Sequence, residues 1–127
     1  MKNFYLFGGV IIGLIALMGG WTYYQSTLPG EYDTFAQCLT EKGATFYGAF
    51  WCPHCQNQKK MFGNSIDYVN YVECSTPDGK GQLEVCAEKG ISGYPTWMFS
   101  DGTTEAGELT FARLAEKTGC VLPAEAK

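Results

Sequence analysis

Residues 4–24, FYLFGGVIIGLIALMGGWTYY, form an apolar run with no charged position. At about 1.5 Å of rise each, these residues make a helix of roughly 32 Å, matching the hydrocarbon thickness of a bilayer. Beyond Ser26 the pattern changes to short apolar groups separated by turn residues. Asp33 is suited to cap a helix that has Phe35, Cys38 and Leu39 on one face and ends at Gly43. The uncharged, aromatic run ATFYGAF, 44–50, predicts a buried strand. Next, Pro53 suits a first helical turn, Lys59 and Lys60 a last turn, and Gly63 the position past the end. A second strand is predicted at 68–74 (YVNYVEC), then the turn PDGKG and a helix over 82–89 that Gly90 stops. ISGYP leads into a strand at 96–99, and Asp101-Gly102 turns the chain into a short strand at 103–106. A last helix, 110–118, carries Phe111, Leu114 and Ala115 on one face.

This order, alternating first and ending in a hairpin, implies an α/β domain with a mixed central sheet flanked by helices on both faces. Its expected core includes Phe35, Phe46, Phe50, Phe99, Phe111 and Leu114. The chain divides into an apolar anchor at 1–25, a linker at 26–32 containing Pro29-Gly30, and one small domain at 33–127.

A cleaved signal peptide competes with the anchor reading, since Lys2 offers a charged start. GGWTYYQS lacks a small-x-small cleavage site, however, and Trp21, Tyr23 and Tyr24 sit where amphipathic rings favour a membrane interface, so an uncleaved anchor is expected. Lys2 precedes the segment and no Lys or Arg follows it before Lys42. The positive-inside tendency then puts the amino terminus in the cytoplasm and the domain on the periplasmic, extracellular or lumenal side. Gly9 and Gly13 are spaced for helix packing, but glycine is common in membrane helices and we assign them no role.

Composition narrows the function. The net charge is -4 and Lys59-Lys60 is the one basic cluster, which argues against a nucleic-acid partner. Six cysteines in a small exported domain imply disulfides, which an oxidising compartment preserves.

The chemistry concentrates in FWCPHCQ, 50–56. Cys52 falls at a helix N-terminus, where unpaired N–H groups and the helix dipole favour a thiolate. Cys55, one turn on, is placed to resolve a mixed disulfide. Pro53 pre-sets the turn, and His54, the sole histidine, adds a polar or cationic ring beside Cys52. A zinc site built from Cys52, Cys55, Cys74 and Cys86 lacks a second C-x-x-C pair and leaves Pro95 without a role. A c-type haem needs histidine where Gln56 stands. Neither metal nor cofactor is expected.

W-C-P-H-C at a strand-to-helix junction, with G-Y-P-T-W about 40 residues later, resembles the thioredoxin fold over 33–120. The resemblance implies a cis peptide before Pro95, lying against the dithiol, with Tyr94, Pro95 and Thr96 binding substrate backbone; Trp51, next to Cys52, is expected to shield the site rather than to pack in the core. YGAFWCPHCQNQKKMFG and YVECS…VC…GISGYPTW most resemble the thioredoxin-like domain fused to bacterial vitamin K epoxide reductase homologues. C-P-H-C is shared with DsbA-type oxidants, but the 40-residue spacing leaves no room for their inserted helical subdomain. The buried acid of cytoplasmic thioredoxins is matched here by Phe46, which argues against their proton relay and a reductant role.

Six thiols allow 15 complete pairings. With Cys52 and Cys55 as the redox pair, Cys74 is expected to bond Cys86, a pair that also matches the fused domains. Cys38 with Cys120 would then tie the first helix to the last. A stabilised Cys52 thiolate makes the disulfide a stronger oxidant: DsbA and thioredoxin differ by about 150 mV, roughly 7 kcal/mol for two electrons. The expected function is a membrane-anchored thiol-disulfide oxidoreductase that oxidises exported protein thiols and passes electrons to a quinone-linked membrane partner. That partner would be a vitamin K epoxide reductase homologue or an equivalent. The alternatives are a reductase or isomerase, for example in cytochrome maturation, and a metal-binding module of the same fold.

Overall fold

The computed structural model describes the backbone of residues 2–123 and side chains from residue 7 onward. Residues 124–127 of the expected domain and the Lys2 side chain lie outside the described residues. Helix α1, Lys2–Thr27, contains a stretch, Phe7–Thr27, long and apolar enough to cross a membrane, with mean hydropathy 1.4. No part of that stretch is buried against the rest of the chain. The Asn64 side-chain amide donates to the carbonyls of Gln25 (3.0 Å) and Leu28 (3.2 Å), tying the end of α1 to the domain.

The domain is a thioredoxin fold. Its sheet comprises β1 (Thr45–Gly48), β2 (Tyr71–Glu73), β3 (Thr96–Met98) and β4 (Thr104–Ala106) in the order β2-β1-β3-β4. β1 runs parallel to β2 and antiparallel to β3, and β3 is antiparallel to β4. The β1-to-β2 crossover carries α3 (Pro53–Phe62) and a 3-10 helix, Gly63–Tyr68.

Strand periodicity divides the core in two. Phe46, Gly48, Tyr71, Glu73 and Trp97 share one face by register. Against it pack α2 (Asp33–Glu41) through Phe35 and Leu39, α3 through Cys55 and Phe62, and α5 (Phe111–Thr118) through Leu114. Aromatic rings interlock there: Trp97 stacks on Phe46 at 5.1 Å, and Phe62 meets Phe111 edge-on at 4.8 Å. The opposite face holds a smaller cluster of Tyr47, Cys74, Cys86 and Ile91, under the single turn of α4 (Glu84–Ala87).

Several elements depart from the sequence pattern. Asp33 is the first residue of α2, not its cap: its carboxylate accepts the Gly30 N–H at 3.1 Å, and the Tyr32 N–H goes to Ser65 Oγ instead. The run 44–50 pairs only as far as Gly48, because the Ala49 carbonyl is taken by the Cys52 N–H at 3.1 Å. Phe50 therefore leaves the expected core and is half exposed. The second strand begins at Tyr71 rather than 68, since the 3-10 helix occupies the positions before it, and the helix of 82–89 shrinks to α4. Thr110 caps α5, accepting the Arg113 N–H, and Gly119 closes it in the left-handed conformation (φ 76°).

Candidate active site

Cys52 caps α3 and Pro53 fills its first position, so the dithiol stands where β1 turns into the helix. Cys52 and Cys55 are free thiols, and both are buried. The Cys55 backbone N–H donates to Cys52 Sγ at 3.3 Å, an orphan helix donor turned onto sulfur. On its other side, Cys52 Sγ lies 3.6 Å from the Tyr94 carbonyl oxygen. The Tyr94-Pro95 peptide is cis, and Pro95 is fully buried against the core. Residues 43 apart in sequence, Cys52 and Pro95, thus belong to one surface, with Tyr94 between them.

Trp51 is half exposed; its indole N–H donates to Ser75 Oγ at 2.8 Å, and its ring meets Tyr94 edge-on at 6.2 Å. Thr96 directly follows Pro95, at the start of β3. Its side chain lies on the sheet face away from Phe46 and is only 6% exposed, and its hydroxyl donates to the Gly93 carbonyl at 2.8 Å.

His54 is exposed, and its ring is held 2.6 Å from Glu108 Oε1 through Nδ1. A carboxylate only accepts, so the shared proton belongs to Nδ1. The His54 hydrogen bond, with help from Asn57, keeps the Glu108 carboxyl below the ordinary range. Glu108 reaches this position because the fully buried Gln58 holds its neighbour: Gln58 Oε1 accepts the Leu109 N–H (2.7 Å), and Nε2 donates to the Leu109 carbonyl (3.1 Å).

Behind the dithiol, burial pushes the Cys55 thiol up to about 12; a hydrogen bond and negative charge from Cys52 add to this, while a backbone hydrogen bond at Ala49 and, less, Lys59 oppose it. Facing it is Tyr71, whose hydroxyl donates to Glu73 Oε2 at 2.7 Å. Burial, and then Glu73, push that phenol upward as well. Glu73 Oε1 accepts the N–H groups of Phe50 (3.1 Å) and Ser75 (2.9 Å), so one carboxylate braces the start of the motif and the end of β2. The other four cysteines are joined as Cys38-Cys120 and Cys74-Cys86. In that bonded state Cys74 and Cys86 have no thiolates to offer a metal.

Sequence reading did not single out Tyr71, Glu73, Gln58 or Glu108. Tyr71 and Glu73 had a usable signal, being two apart on a strand and so on one face. Glu108 had none, since it meets His54 across 54 residues of sequence.

These features define the class: a thioredoxin-fold domain with a free C-x-x-C dithiol at a helix N-terminus beside a cis-proline. No protein-family model matches the chain. It is similar to the thiol-disulfide oxidoreductase LTO1 of Arabidopsis thaliana, at 49% identity over 106 residues. That match takes in 76% of this chain and spans only 28% of the relative's length.

Proposed function

We propose that this chain is a membrane-anchored thiol-disulfide oxidoreductase whose redox centre is Cys52-Cys55. The observation that carries the reading is Cys52 at the cap of α3, with a backbone N–H on one side of its sulfur and the Tyr94 carbonyl, next to cis-Pro95, on the other. A donor aimed at sulfur suits a thiolate, and a neighbouring backbone edge suits an extended peptide. The similarity to a thiol-disulfide oxidoreductase supports the same chemistry.

In this reading a substrate thiolate attacks Cys52 Sγ of the oxidised pair, Cys55 leaves with the electrons, and a second substrate thiolate then releases Cys52 as substrate disulfide forms. Substrates are thiols of exported proteins, held along Trp51, Tyr94 and Pro95, and His54 tunes the couple. The dithiol passes its two electrons to a quinone-linked membrane partner, a vitamin K epoxide reductase homologue or an equivalent. Helix α1 is the membrane span, the one candidate among the described residues, with its amino terminus cytoplasmic. Cys38-Cys120 and Cys74-Cys86 are structural.

One observation favours the opposite direction. His54 is engaged by Glu108, whose negative charge offsets any cation beside Cys52 and so lessens the oxidising bias. A redox titration of the full chain in detergent separates the two. An oxidant is expected to titrate well above thioredoxin's roughly -270 mV. A potential near that value identifies a reductase or isomerase, and failure of Cys52→Ser to abolish catalysed insulin reduction removes the dithiol from the chemistry altogether.

A further inference from the structure

We propose that Tyr71 and Glu73 form the proton path of Cys55, the Tyr71 hydroxyl carrying the proton between Cys55 Sγ and the Glu73 carboxylate. This path rests on the exchange chemistry proposed above. It answers a need that chemistry creates: Cys55 is fully buried, so bulk solvent does not reach its thiol, yet the thiol must lose a proton to attack a mixed disulfide on Cys52. Burial, the largest cause holding its proton in place, persists when Cys52 is bonded to a partner and carries no charge.

The position where a buried carboxylate would be expected belongs to Phe46, which packs edge-on against Tyr71 at 5.1 Å. The carboxylate is present nonetheless, one strand over. A β-carbon on Gly48 would sit 3.2 Å from Tyr71 Oη and 3.3 Å from Cys55 Sγ, so hydroxyl and thiol converge on one bare point of β1. The two groups make no direct hydrogen bond in this structure, and one bridging water spans such a gap. A side chain at 48 would also press on the Tyr71 ring, 2.9 Å from Cε2, so glycine there keeps the approach open. From Tyr71 the relay continues over 2.7 Å to Glu73 Oε2. The other oxygen, Oε1, is occupied by the Phe50 and Ser75 N–H groups, which fixes Oε2 toward the tyrosine. Glu73 is partly exposed and can return its proton to solvent.

The ionisable groups acting on Cys55 are Cys52 and Lys59 on the α3 side and Tyr71 on β2, with Glu73 behind the tyrosine. β1 and β3 contribute Phe46, Gly48 and Trp97, none of which titrates. Lys59 places its ammonium 3.5 Å from the Tyr71 ring centroid. As a cation it has no lone pair to accept a proton, so its part is to favour the thiolate once formed. In the resolving step, Cys55 Sγ–H gives its proton to Tyr71 Oη while Tyr71 passes its own to Glu73. The Cys55 thiolate then bonds Cys52 Sγ, and the Cys52–partner bond breaks with the electrons leaving on the partner sulfur.

The reaction of the reduced full chain with 5,5′-dithiobis(2-nitrobenzoate) tests the path, since it releases one coloured thiolate as Cys52 is captured and a second as Cys55 resolves the adduct. Tyr71→Phe keeps the ring, and Glu73→Gln keeps an oxygen for the two N–H groups while losing the basic site. Both are expected to leave the first release unchanged and to slow the second roughly 100-fold near pH 7, with the gap closing at higher pH, where ionisation of Cys55 depends less on the relay. Variants whose second phase matches the parent, or lags equally at every pH, overturn the path while leaving the exchange reading intact. A parent chain giving no second release overturns the exchange reading, and the path with it.

Discussion

The two faces of the sheet carry unequal protection. One is covered by α2, α3 and α5, with Phe35, Phe46, Phe62, Trp97 and Phe111 in mutual contact, and it also houses the dithiol. The other rests under one turn of helix, where a disulfide, Cys74-Cys86, takes up the centre of the cluster. Aromatic burial and dispersion hold the first face, so two thiols can stay unbonded within it. The second face has few apolar side chains to bury, and its covalent tie does what packing does opposite. The thick face carries a tie as well, Cys38-Cys120, which joins α2 to the segment after α5, whereas on the thin face the bond itself fills the middle of the cluster.

Removing each tie in turn breaks this comparison most directly. Cys38-Cys120 spans 82 residues and Cys74-Cys86 spans 12. In the loop-entropy picture their replacement by alanine pairs costs about 4.5 and about 3 kcal/mol, respectively. Denaturant unfolding of the two double variants measures both. If the thin face has little packing to fall back on, the Cys74/Cys86 variant will lose more than its short loop predicts, and the two costs will converge. A Cys74/Cys86 loss below about 1 kcal/mol, far under the loop value, would show that the thin face does not depend on its tie.

The next effect belongs to the thick face and depends on pH. Cys55 keeps its proton up to about 12 in the folded chain, against an ordinary 9.0. Below pH 9 folded and unfolded chains are both protonated and the contribution is complete. Between 9 and 12 only the unfolded chain releases the proton, so stability falls as pH rises, by up to about 1.4 kcal/mol per pH unit for one proton. The oxidised form has no thiol to titrate, whereas Tyr71 is common to both forms. Denaturation midpoints of the reduced and oxidised chains should therefore diverge in this window, the reduced one falling faster. Parallel midpoints would mean that Cys55 is not enclosed as the three helices require.

How much of this was legible in the sequence varies with the range of the interaction. The uncharged, aromatic run 44–50 marked a buried strand, and Pro53, the lysines and Gly63 bounded α3, because these signals are local. The seven uncharged residues of 44–50 could not say where pairing stops, since that is decided by the Cys52 N–H reaching back to Ala49. W-C-P-H-C marked the candidate junction only together with the strand before it, the helix after it and G-Y-P-T-W downstream. Cysteine spacing left 15 pairings open, and helix packing is what brings Cys38 to Cys120. Tyr71 and Glu73 reach the dithiol only through the parallel register of β2 on β1, and Glu108 only through Gln58. Such residues carry no motif of their own.

The smallest effect is expected at that last contact, on the exposed rim of the thick face. Glu108 is held below the ordinary carboxyl range by His54, so the pair contributes at neutral pH and its contribution is lost as acid protonates the carboxylate. Both partners face solvent, and exposed ion pairs are weak and screened by salt. Glu108→Gln should accordingly leave the unfolding midpoint nearly unchanged in high salt. It also removes a negative charge that offsets His54 near Cys52, so the disulfide should become slightly more oxidising, a shift small against the roughly 150 mV between thioredoxin and DsbA. Its sign carries the information: an upward shift that shrinks with added salt identifies Glu108 as a brake on the oxidising power of the cysteine pair, whereas no shift at low salt means that His54 does not act on Cys52 through charge.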